Sequence, residues 1–111
     1  MAEKRFKIEL TQGAEDDLET IHTYLAENRS PDAADALLDE FDSTMETLEQ
    51  YPLRGSLPKE LEVLGIREFR QILLGPYRLI YRVADNKVFI LVIADARRDM
   101  QALLERRLLR R

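Results

Sequence analysis

The residues best suited to chemistry are arginines in the second half of the chain: Arg67 and Arg70, Arg78 and Arg82, and the adjacent Arg97 and Arg98. A guanidinium stays charged at any physiological pH and grips phosphate through paired N–H donors. Arginines gathered from neighbouring strands could therefore hold a nucleic-acid backbone or stabilise charge developing on a transferred phosphate. The same side chains could instead pair with the chain's own acids or end in solvent, and the pattern alone leaves both readings open.

Other chemistries find little support. With one histidine, His22, no cysteine and no carboxylate spacing of a calcium loop, no metal site is expected. His22 sits beside the apolar stripe of a helix and reads as a packing or surface residue. A catalytic triad would have to use it, and no nucleophile elbow is present. Gly55, Gly65 and Gly75 are isolated, and none opens a helix at the spacing that cradles phosphate, so no nucleotide cofactor is expected.

The elements that must position the arginines follow from periodicity. The stretch from Gly65 to Ala94 reads as three antiparallel strands over 67–73, 77–84 and 88–94, with Gly75-Pro76 and Asp85-Asn86 as turns. In the middle strand, Tyr77, Leu79, Tyr81 and Val83 share one face and Arg78, Ile80 and Arg82 the other, so one face can pack while the other presents cations.

Upstream, residues 5–10 alternate as a half-buried strand with Phe6, Ile8 and Leu10 on one face. Thr11 offers a cap for a helix over 12–26, with Ala14, Leu18, Ile21 and Leu25 in one stripe. Ser30-Pro31 starts a second helix that carries Ala34, Leu37, Leu38, Phe41, Met45 and Leu48 and stops at Tyr51-Pro52. The two form a hairpin expected to lie on the sheet with its acids toward solvent. Residues 52–65, with Pro52, Pro58, Gly55 and Gly65, read as an irregular connection. Asp95 is the expected cap for a helix over 96–109, whose stripe is Met100, Leu103, Leu104 and Leu108. Arg106, Arg107, Arg110 and Arg111 fall in its last turns, where the dipole favours cations.

The fold class is therefore α+β: an N-terminal strand, a helical hairpin, a three-stranded antiparallel run completing a four-stranded sheet, and a C-terminal helix. At 111 residues a single domain over 1–111 is expected, and 45% hydrophobic with 34% charged residues suits a globular chain rather than a disordered one. No signal-peptide pattern opens the sequence, and the longest apolar run, Val88 to Ala94, is too short to span a bilayer. Together with the lack of cysteine, this leads to an expectation of a cytoplasmic protein that does not engage the membrane. Residues 1–63 carry 6 Lys+Arg against 16 Asp+Glu, a net −10, whereas residues 64–111 carry 11 against 5, a net +6. The basic half suggests a partner with local negative charge, either nucleic acid or an acidic protein segment.

Three segments carry a family resemblance: AEDDLETIHTYL, LEQYPLRG and REFRQILLGPYRLIYRVADNKVFILVIADARRDM. In this order, over nearly the whole chain, they resemble the RelE/ParE superfamily of toxins from bacterial type II toxin-antitoxin systems. The most specific piece is Gly75 to Val83 followed by a strand and Arg97-Arg98-Asp99. The resemblance implies growth inhibition, a role in plasmid stabilisation, and a hetero-oligomer with a cognate antitoxin.

The superfamily has two activities. RelE-like members cut messenger RNA in the ribosomal A site with a basic cluster and a C-terminal tyrosine. By resemblance Arg78 matches the arginine of the G-Y-R-L-x-Y strand, Arg70 falls near a preceding-strand lysine, and Arg97 or Arg98 near a later basic position. This gives Arg78, Arg70 and Arg97 as the catalytic set of a metal-independent endoribonuclease. No tyrosine follows Tyr81, and Asp95 stands where many relatives carry a histidine. Without a general acid or base such an enzyme forgoes a contribution of about 10²–10⁴ in rate. ParE-like members instead poison DNA gyrase, and the long hairpin and missing tyrosine favour that branch. The resemblance then makes Arg67, Arg82, Arg98, Met100, Leu103 and Leu104 the residues for target or antitoxin binding. A degenerate, nontoxic relative is the third reading.

Overall fold

The computed structural model describes residues 5–109. The expectations for Arg110 and Arg111 lie outside the described residues. The strands β1 (Lys7–Leu10), β2 (Phe69–Leu74), β3 (Tyr77–Ala84) and β4 (Lys87–Asp95) form one mixed sheet in the order β1-β4-β3-β2. β1 runs parallel to β4, and β2, β3 and β4 are antiparallel neighbours. The tight β2–β3 turn needs a left-handed residue, which Gly75 supplies at φ 59°.

The helices α1 (Gln12–Asn28) and α2 (Pro31–Gln50) start where their caps predict. The Thr11 hydroxyl accepts from Ala14 N at 3.2 Å and the Ser30 hydroxyl from Ala33 N at 3.0 Å, each satisfying an orphan donor of the first turn. Their stripes, including Leu25, Leu37, Phe41 and Leu48, pack on Ile72, Leu74, Leu79, Tyr81, Val88 and Ile90 of the sheet. Each large side chain so buried contributes about 1.5–3 kcal/mol of hydrophobic stabilisation, so this layer dominates the fold.

The other sheet face carries a second, smaller core. Ile80, Val92 and Ala94 are covered by Leu61 of a short helix, α3 (Lys59–Glu62), and by Met100, Leu103 and Leu104 of α4 (Met100–Leu104). The chain continues from α4 as a π-helical turn, Glu105–Leu109.

Several boundaries differ from expectation. β2 begins at Phe69, not Arg67, and α1 runs on to Asn28. The connection over 52–65 contains α3, one turn held between Pro58 and Gly65 and too short to show helical periodicity. The C-terminal helix starts at Met100 with Asp99 as its cap, accepting from Ala102 N at 3.1 Å, because Asp95 is the last residue of β4.

The stretch after α2 is fixed by Tyr81, which is fully buried. Its hydroxyl donates to Pro52 O at 2.7 Å and accepts from Gly55 N at 3.0 Å, and burial pushes the phenol pKa up, keeping it a donor. A side chain at Gly55 would meet Gln71 O and the Tyr81 hydroxyl at 2.7 Å, so only glycine fits this approach.

Candidate functional site

Arg78 projects from β3 onto the second face but is not an open cation, being only 8% exposed. Its Nη1 and Nη2 donate to Glu60 Oε2 and Oε1 at 2.7 and 2.8 Å, and its Nε donates to Gln71 Oε1 at 2.7 Å, with Nη2 also against that oxygen. Glu60 belongs to α3, so this two-pronged pair fastens α3 to the sheet. The Arg78 hydrogen bond holds the Glu60 carboxyl below the usual glutamate range, outweighing the opposing effect of burial. Residues 52–65 read as a loop in the sequence, which hides Glu60 as the partner.

Arg70 lies opposite Tyr81 in the β2–β3 register, on the hairpin side of the sheet. Its Nη1 donates to Leu53 O at 3.1 Å and Gly55 O at 2.7 Å, clamping the same loop that Tyr81 pins. Arg70 and Arg78 thus serve opposite faces. Arg97, beyond β4, folds back on Asp95, with Nε to Oδ1 at 3.0 Å and Nη2 to Oδ2 at 2.8 Å, while its own N–H reaches Oδ1 at 2.8 Å. These bonds hold the Asp95 carboxyl at about 2. The three arginines expected to form one phosphate site are therefore not brought together.

The other expected contact residues divide. Met100, Leu103 and Leu104 are core, at most 4% exposed, because the stripe that marks them is the face α4 lays on the sheet. Arg67 pairs with Glu62 at 3.4 Å, and Arg82 stands 3.8 Å from Glu68, both between well-exposed side chains and hence weakly. Arg98 is exposed. Arg67, Arg82 and Arg98 are the expected contact cations that remain available to a partner.

One constellation was not anticipated. Arg107 of the terminal turn donates Nη1 and Nη2 to the two carboxylate oxygens of Asp17 at 3.0 Å each, and Nη2 also to Leu91 O at 3.0 Å. Asp17 Oδ2 accepts Ile93 N at 3.0 Å as well. β1 ends opposite Ile90, so beyond it the edge of β4 lacks a strand neighbour, and this ion pair satisfies backbone groups there. The guanidinium lies close against the first turn of α1, where an added Cβ at Gly13 would lie 2.6 Å from Arg107 Nη2.

The family model for the ParE toxin of type II toxin-antitoxin systems, parDE, matches residues 8–100. The chain belongs to this toxin family. Its fold is similar to that of a solved chain described as the chromosomal ParDE TA system from P. aeruginosa, with TM-score 0.67 and 19% identity over 84% of this chain and 98% of that one. At that identity the likeness speaks for the fold alone. The comparison with curated proteins yields no match.

In this ParE-family toxin, His22 stands apart from the arginines. Its Nε2 is 3.5 Å from Asp35 Oδ1 of α2 but without hydrogen-bond geometry, which places it as a packing residue between the hairpin helices. Among the described residues no three His, Asp or Glu side chains gather as a metal site, and no helix is long and apolar enough to cross a membrane.

Proposed function

We propose that this toxin acts by binding rather than by cutting: it inhibits DNA gyrase, stalls replication, and is neutralised in the cytoplasm by a cognate antitoxin with which it forms a hetero-oligomer. The observation that carries this reading is the Arg78–Glu60 pair. The one arginine that matches the nuclease pattern best is neutralised and covered by α3. Freeing it for a scissile phosphate would leave Glu60 unpaired, at a cost of several kcal/mol for a buried pair. Arg70 serves the opposite face, Arg97 is engaged by Asp95, and among the described residues the only side chains hydrogen-bonded to Arg78 are Gln71 and Glu60, of which only Glu60 is titratable and the pairing keeps it ionised.

The test is a supercoiling assay with purified gyrase and relaxed plasmid. Loss of supercoiling in proportion to added toxin is expected, and unchanged supercoiling at large molar excess removes gyrase as the target. Primer extension on translated messages runs in parallel, where cuts within codons would establish ribosome-dependent cleavage instead. Growth that continues on induction without antitoxin would identify a nontoxic relative.

A further inference from the structure

Charge on this chain is sorted by face as well as by sequence. α2 lays Ala34, Leu37, Phe41, Met45 and Leu48 on the core, and on its opposite side Asp32, Asp35, Asp39, Asp42 and Glu46 recur at spacings of three and four. All of these acids are exposed, in one line along a helix of 20 residues, about 30 Å long. Like charges at this spacing repel, and neither α1 nor α2 contains a lysine or arginine to offset them. Among the described residues only Asp35 of this line has a basic neighbour, His22 at 3.5 Å.

The other side of the molecule is the inverse. On the second sheet face α3 and α4 cover Ile80, Val92 and Ala94, but the far end of the strands is left open. There Phe69, Phe89, Leu91 and Leu108 floor a depression of about 370 Å³ with Arg82 and Arg107 in its walls, and among the described residues no acidic side chain lines it. Phe89 is half-exposed and belongs to neither hydrophobic core. Arg82 lies between Phe69 and Phe89 in the register, and its contact with Glu68, 3.8 Å between side chains 45% and 61% exposed, leaves it free to change partner.

We propose that the free toxin associates with itself head to tail, the acidic side of α2 in one copy seating on the Arg82–Phe89 depression of the next. Charge complementarity selects a second copy as the occupant, because the chain carries both the cationic depression and, facing the opposite way, a line of carboxylates with no cations of its own. Burial of Phe89 and Leu108 supplies the part of the affinity that exposed ion pairs do not. The two surfaces lie on opposite sides of the sheet, so two copies cannot exchange both contacts about a two-fold axis. Each contact leaves one acidic and one basic surface unused, and the assembly is open-ended. A stacked copy hides Arg82 and Phe89, so any other partner of this face binds in competition with self-association.

Sedimentation velocity on the purified toxin is the test. The mean mass is expected to climb with protein concentration at about 0.01 M salt, where charges act over about 30 Å, and to return to that of a monomer at about 1 M, where they act over about 3 Å. Arg82→Glu spoils the basic face alone, and the combined change Asp39→Asn, Asp42→Asn and Glu46→Gln spoils the acidic side alone, all at exposed positions that do not disturb folding. Each variant by itself is expected to lose about tenfold or more in self-affinity. Mixed, they should form a closed one-to-one pair, since each retains the surface that the other lacks. Arg97→Glu, beyond the other end of β4, makes the same charge change and should associate as the wild type does. The chain contains no tryptophan, so Phe89→Trp places a single reporter on the floor of the depression, and its emission should shift to the blue as the protein is concentrated at low salt. A wild-type toxin that stays monomeric at low salt overturns the proposal. So does self-association that Arg82→Glu leaves intact, and so does a mixture of the two spoiled variants that forms no pair, which would make the contact a symmetric one. An indole that shifts with a single-stranded oligonucleotide but not with protein concentration would give the depression to nucleic acid instead.

Discussion

Arg78 and Glu60 meet in parallel, guanidinium to carboxylate, at 2.7 and 2.8 Å with both side chains little exposed. The pair joins β3 to α3, and α3 in turn contributes Leu61 to the second core. Removing either partner leaves a charge in a poorly solvated place. Arg78→Ala or Glu60→Ala should therefore lower the unfolding free energy by about 3 kcal/mol, whereas the double change Arg78→Met with Glu60→Leu should be close to neutral. Urea denaturation of the three variants measures this. A loss of toxicity in Arg78→Ala that accompanies such a drop reports a failure of the fold and says nothing about catalysis.

The same pair sets a pH dependence. Glu60 has its pKa lowered in the folded state from an ordinary value of 4.5, chiefly by the Arg78 hydrogen bond. Its contribution to stability is therefore full above 4.5 and is lost as pH falls toward the depressed folded value. Glu60→Gln should remove that dependence, so that the stability difference between wild type and variant narrows on acidification below 4.5. Thermal melts between neutral and strongly acidic pH decide it, and a difference that stays constant would show that the pair is not formed.

Asp95 makes a local counterpart at the surface. Its carboxyl should titrate at about 2 by carbon-detected NMR. In Arg97→Ala the value should rise toward the ordinary 3.8 as the largest contributor, the guanidinium hydrogen bond, disappears, and any remaining depression would come chiefly from the residue 97 backbone N–H. A carboxyl unmoved by the substitution would place Arg97 in solvent.

The Tyr81 hydroxyl ties residues 52–55 to the sheet through two hydrogen bonds made inside the core. Tyr81→Phe keeps the ring and strands Gly55 N and Pro52 O, so a loss of about 1–3 kcal/mol is expected. Gly55→Ala should cost at least as much, since its methyl group would meet backbone at 2.7 Å that cannot move aside. Chemical denaturation checks both, and hydrogen exchange at Gln71, whose N–H bonds Ser56 O at 2.7 Å, should quicken in each variant.

Much of this fold is written in periodicity. The alternation in Tyr77 to Val83 puts Tyr77, Leu79 and Tyr81 on the hairpin side and Arg78 and Ile80 on the other, as the two cores have them. Thr11 and Ser30 mark both long helices. Alternation names the face a residue occupies but not what covers that face, so Arg78 reads as a presented cation when Glu60 lies over it. Register is equally invisible to it. That Arg70 sits opposite Tyr81, and so serves the hairpin side, depends on how Gly75-Pro76 sets the β2–β3 pairing. The stripe of Met100, Leu103 and Leu104 is legible as apolar, but an apolar stripe on a helix is by default a core contact, and that is what the structure makes of it. The Asp17–Arg107 pair spans most of the chain and leaves no local pattern.

That pair supports the last prediction. Gly13 lies in the first turn of α1, where alanine would ordinarily favour the helix by up to about 1 kcal/mol. Here its Cβ would fall 2.6 Å from Arg107 Nη2, at the end of a side chain that can swing away. Gly13→Ala should therefore release Arg107 from Asp17 and Leu91 O without unfolding α1, freeing the turn Glu105–Leu109 from the edge of β4. Arg107→Ala should free the turn equally and leave Asp17 still holding Ile93 N. Limited proteolysis after Arg106 is expected to accelerate in both variants, while exchange at the Ile93 amide stays slow in both. Asp17→Ala, by contrast, should free the terminal turn and quicken exchange at Ile93 together, because only that carboxylate serves both. If Asp17→Ala leaves Ile93 protected, the carboxylate does not guard the β4 edge.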